Sequence, residues 1–62
     1  MTRVLARAWD GDKMVCILIE DSQVTEIKHE PDCEGLVKKL GKPRMASGLV
    51  SGSVCIDVFV YE

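Results

Sequence analysis

Four side chains in this sequence could bind a metal through nitrogen or sulfur: His29, Cys16, Cys33 and Cys55. Together they make a nominal Cys3His zinc set. Such sites usually contain a closely spaced C-x-x-C pair, and none occurs here, so neither a metal nor another cofactor is expected. Cys33 follows His29 at the spacing H-x-x-x-C and sits at the start of a predicted helix. Both conditions lower a thiol pKa and prepare it for nucleophilic attack. The acids around it work against the thiolate, and neither an orienting third group nor an oxyanion hole can be identified. No catalytic residue is therefore assigned, and the chain is read as non-enzymatic. An odd number of widely spaced cysteines fits reduced, buried thiols in a cytoplasmic protein better than a disulfide framework.

The glycines at 11, 35, 41, 48 and 52 match no phosphate-cradling or dinucleotide fingerprint. Asp10, Asp12 and Glu20 are too scattered for a calcium loop. Charge is the more informative feature. Glu20, Asp21, Glu26, Glu30, Asp32 and Glu34 are opposed only by Lys28, a local net of −5 with His29 neutral. Lys38, Lys39, Lys42 and Arg44 follow with no acid among them, a local net of +4. These charges suit a solvated surface and a helix dipole. They also suit an acidic face that docks on a basic surface, including one that normally holds nucleic acid. The formal net charge of −2 opposes direct nucleic-acid binding, which depends on cations displacing condensed counterions.

The elements that position these groups follow from periodicity. Segments 2–9 and 13–20 are β-rich and flank Asp10-Gly11, a strong hairpin signal. With those two residues as the loop, Val4 opposes Ile17, Ala6 opposes Val15 and Thr2 opposes Ile19. On the other side Leu5 opposes Cys16 and Arg7 opposes Met14. A three-residue turn, Asp21-Ser22-Gln23, leads to a third strand over 24–29, with Thr25, Ile27 and His29 on the aliphatic side. A two-residue turn would bury Glu26 there at a cost. Pro31 stops that strand, and Asp32 is placed to cap a helix. Cys33, Leu36, Val37 and Leu40 fall at i, i+3, i+4 and i+7, one helical face. Gly41 and Pro43 end it. Residues 41–52 read as an irregular connection. Ser53 to Tyr61 alternates as a last strand, with Val54, Ile56, Val58 and Val60 on one side.

The expected fold is α+β: a single β-β-β-α-β domain over 1–62, mainly antiparallel, with one helix packed on one face. A chain this short buries only about 60% of the surface its unfolded form exposes. The longest apolar run, Met14 to Ile19, falls far short of the roughly 20 residues needed for a membrane span. No basic-then-apolar leader precedes it. The small residues Ala6 and Ala8 make the aliphatic side the natural seat for the helix. The other side then holds Leu5, Trp9, Met14, Cys16, Leu18, Cys55, Phe59 and Tyr61, with Arg3 and Arg7 among them. A patch of that composition is enriched at interface centres. Segment 41–52, a second copy or a different protein is expected to cover it; the remaining alternative is that the sides are exchanged and the aromatics are core.

The resulting expectation is an adaptor or inhibitor that occludes a surface of a larger protein or protein–nucleic-acid assembly. Its contacts would be Arg3, Arg7, Trp9, Phe59 and Tyr61, the acidic residues from Glu20 to Glu34, or both. An obligate homodimer, joined through the aromatic faces or the last strands, is the alternative. A single-stranded nucleic-acid binder is a further one, since aromatic and Arg side chains on a sheet can stack bases.

Overall fold

The computed structural model describes residues 2–61. Five strands form one antiparallel sheet: β1 (Arg3–Asp10), β2 (Lys13–Glu20), β3 (Gln23–His29), β4 (Met45–Ser51) and β5 (Val54–Val60). A single helix, α1 (Asp32–Leu40), lies between β3 and β4 in sequence. The spatial order is β3-β2-β1-β5-β4. The domain is α+β, as the alternation and the single helical stripe imply, with one strand more than the sequence reading gives.

The β1–β2 hairpin closes one residue later than expected. Asp10 pairs with Lys13, so Gly11-Asp12 form the loop. Gly11 supplies φ +66, which suits a hairpin turn with glycine first. Val4 therefore opposes Ile19 and Arg7 opposes Cys16. The pairing is displaced by two residues, so every side chain keeps its side.

The next turn is also tighter than expected, two residues rather than three. Asp21 and Ser22 both adopt positive φ, 51 and 69, and Glu20 pairs with Gln23. The cost foreseen for Glu26 is avoided by a bulge. Ile19 pairs with Val24 but Leu18 with Glu26, leaving Thr25 as the extra residue. Ile27 and His29 then lie beside Ile17 and Val15 as expected, while Val24 takes the place predicted for Thr25.

Helix α1 begins at Asp32 itself, with Pro31 at the cap position and no side-chain cap bond. Asp32 and Glu34 occupy its first turn and Lys38 and Lys39 its last, the arrangement the dipole favours. The Gly41 amide, at φ +81, donates to the Val37 carbonyl at 3.2 Å.

Segment 41–52 is irregular only over residues 41–44. It contains β4, which pairs along its whole length with β5 through a two-residue turn at Gly52-Ser53. Gly52 has φ +61. The last strand lies inside the sheet, antiparallel to both β1 and β4, so it has no free edge with which to pair across a two-fold axis.

Candidate functional site

Pairing across the five strands sorts the sheet into rows. On the side that carries α1 the rows are Ala46–Phe59–Leu5–Leu18–Glu26, Gly48–Asp57–Arg7–Cys16–Lys28 and Val50–Cys55–Trp9–Met14. This reverses the expected seating of the helix. The buried core is Leu5, Met14, Cys16, Leu18, Cys33, Leu36 and Tyr61, with Trp9 and Phe59 packed against it. Large side chains, rather than the flat Ala6/Ala8 side, fill the space under the Cys33–Leu36 stripe. Cys16 lies beneath the first helical turn and is disulfide-bonded to Cys33, with Cα atoms 5.8 Å apart. The reduced-thiol expectation fails for this pair, and Cys55 alone is free.

The five aromatic and arginine residues expected at an interface are brought together here. The Arg7 guanidinium lies 4.9 Å from the Trp9 ring centre and 4.7 Å from that of Phe59. Its Nη2 donates to Asp57 Oδ2 at 2.9 Å. Arg3 lies over the Tyr61 ring at 5.9 Å. Burial raises the Tyr61 phenol above its ordinary pKa, and the nearby Arg7 and Arg3 charges act in the opposite direction. The cluster packs mainly against itself, with the buried Nε of Arg7 left without a hydrogen bond. Arg7 is paired, Tyr61 is core, and two rings flank one guanidinium.

The acidic segment is not one face. Glu20 and Asp21 sit at the β2–β3 turn. Thr25 Oγ1 donates to Glu20 Oε1 at 2.8 Å, and the Thr2 amide donates to Asp21 Oδ1 at 3.1 Å. Glu30, Asp32 and Glu34 lie beyond the other end of β3, on the order of 20 Å away by strand rise. Glu26 stands between them, 4.0 Å from Lys28 Nζ and from Lys39 Nζ. No three His, Cys, Asp or Glu side chains among the described residues gather to hold a metal. The nominal zinc set is broken up by the Cys16–Cys33 bond.

The opposite side is different in kind. Its rows are Met45–Val60–Val4–Ile19–Val24, Ser47–Val58–Ala6–Ile17–Ile27 and Leu49–Ile56–Ala8–Val15–His29. Thirteen of those fifteen positions are apolar, the exceptions being Ser47 and His29. Among the described residues charge flanks these rows, Asp10 and Lys13 at one end and Asp21, hydrogen-bonded to Thr2, at the other. Among the described residues no element packs on this side. Val24 is 58% exposed, Ile27 59%, Met45 58% and Leu49 64%. Ala6 and Ala8 make the central strand a shallow trough between the Val/Ile rows of β2 and β5.

No family model matches this chain, and neither curated proteins nor solved structures give a match.

The sequence pattern groups most of this aliphatic side correctly, but the expected seat of the helix falls on it. The signal that could have redirected it is Cys16. On the side it shares with Leu5, it has a disulfide partner only if α1 packs there too.

Proposed function

We propose that the chain is a non-enzymatic protein-binding module, of the adaptor or inhibitor kind, that occludes a surface of a larger protein assembly. Its contact is the uncovered aliphatic side of the sheet rather than the Arg3/Arg7/Trp9/Phe59/Tyr61 cluster. The observation that carries this reading is the run of three largely apolar rows across five strands with nothing among the described residues over them. By strand spacing and rise they span on the order of 500 Å², the upper range for the largest apolar patch of a monomer and a size that is often functional. Antiparallel sheets with one wet side normally alternate polar residues onto it, and in these three rows only Ser47 and His29 are polar.

The non-enzymatic part is supported by Cys33. The one thiol placed near both His29 and a helix start is bonded to Cys16 and has no sulfur free to attack. The split acidic segment supports a peripheral role for Glu30, Asp32 and Glu34, since rim charges act mainly on encounter and selectivity. No helix among the described residues is long and apolar enough to cross a membrane. A cytoplasmic setting was inferred from reduced thiols, and the Cys16–Cys33 bond withdraws that support, because such bonds persist mainly in oxidising surroundings.

The test compares affinity capture by wild type, Ile56→Lys and Trp9→Ala. Ile56 lies on the open side, one row from the charged end, and is 37% exposed, so a lysine there is expected to leave the fold intact. Loss of the captured protein with Ile56→Lys but not with Trp9→Ala supports the reading. Undiminished capture by Ile56→Lys overturns it.

A further inference from the structure

The two edges of the sheet are unequally protected. On one edge, β3 carries Glu26, Lys28 and the bulge at Thr25, devices that stop an edge from pairing with another strand. On the other edge, β4 has none of them. Its seven residues, MASGLVS, include no charge and no proline, its ladder with β5 is unbroken, and every one is exposed. Met45, Leu49 and Val50, half of the six most exposed large apolar side chains, lie on this one strand. Such an edge is a template for strand addition.

We infer that β4 pairs antiparallel with β4 of a second copy of this chain, about a two-fold axis through Gly48 and normal to the sheet. The strand is complementary to itself in that register. Leu49 meets Ser47 of the second copy, Val50 meets Ala46, Met45 meets Ser51, and Gly48 meets Gly48. Each larger side chain faces a smaller one, so the pair interlocks without crowding. No like charges meet, because the strand has none. A partner of another kind would need its own matching strand, whereas the copy carries one by construction, as an isologous contact requires. The product is one ten-stranded sheet whose aliphatic sides face the same way. This pairing uses the edge and leaves the aliphatic side open, so it stands independently of the proposed docking there.

Sedimentation from low to high micromolar concentration tests the pairing on the full chain. Wild type is expected to approach twice the monomer mass. Val50→Lys, which alters the edge on the helix-bearing side, is expected to weaken self-association roughly tenfold or more by placing charge at the contact. Ile27→Lys, on the far edge and the aliphatic side, is expected to remain dimeric. Amide exchange across 45–51 in wild type should slow as concentration rises, which keeps the test decisive if Val50→Lys does not fold. A wild type that stays monomeric overturns the inference, as does a dimer broken by Ile27→Lys but not by Val50→Lys. Capture of a partner by Val50→Lys reports on the aliphatic side separately.

Discussion

Along β2, Met14, Cys16 and Leu18 turn toward the helix and are buried, while the alternating Val15, Ile17 and Ile19 turn away and stay half-exposed. Along this strand the two sets are about equally apolar, yet only one became part of a core. A nine-residue helix is about 14 Å long and can cover one side only. The choice went to the side with bulky Leu, Met and aromatic groups and a cysteine in reach of Cys33. Hydrophobic content alone therefore does not define an interior. What defines it is the presence of something to pack against, and the aliphatic side has nothing of that kind among the described residues.

The contrast is sharpest at neighbouring positions on β1. Leu5 is 0% exposed, and Leu5→Ala should cost about 2–5 kcal/mol. Val4→Ala, one residue away on the open side, should cost no more than about 1 kcal/mol. Urea unfolding followed by Trp9 fluorescence measures both, and equal losses would mean that the two sides are equally buried. A somewhat smaller effect is expected from the covalent tie. Replacing both Cys16 and Cys33 by Ser opens a cross-link of sequence separation 17 and should cost about 3 kcal/mol. Thiol titration of the unfolded, unreduced chain should then find Cys55 alone in wild type. Three titratable thiols would remove the tie and its contribution.

The smallest effect concerns pH. Tyr61 has a raised phenol pKa in the fold, so above the ordinary value near 10 the unfolded chain loses this proton first. The stabilisation is complete below that pH and is lost as pH rises through the folded value. Tyr61→Phe should flatten this part of the alkaline decline relative to wild type. Parallel curves would mean that the phenol does not contribute.

Much of this was legible in the sequence because side-chain alternation has a period of two. The expected β1–β2 register is off by two residues, and yet residues 3–9 and 13–19 all fall on the sides that alternation gives them, with only the loop residues 10–12 misassigned. The helix was legible from Cys33, Leu36, Val37 and Leu40. Its seat was not, because both sides of the sheet read as apolar and the alanines suggested closer approach. That error also hid the disulfide, since it put Cys16 and Cys33 on opposite sides of the sheet. β4 escaped notice because Gly48 and two serines dilute its apolar content. Its turn, Gly52-Ser53 between Val50 and Val54, was nevertheless a hairpin signal in plain view. The aromatic cluster was correctly grouped, but grouping does not separate packing from recognition.

The irregularity at Thr25 has a consequence for how this strand tolerates change. Residues before it keep step with the tight Asp21-Ser22 turn, and residues after it keep step with β2, so the mismatch of one is absorbed at a single place. Removing that residue would restore a plain ladder with Glu26 still opposite Leu18 and Ile27 still opposite Ile17. Removing Ile27 or Lys28 would instead swing part of the strand through the sheet and exchange wet for greasy. The chain thus carries one link of slack, parked where shortening by one leaves inside and outside unchanged.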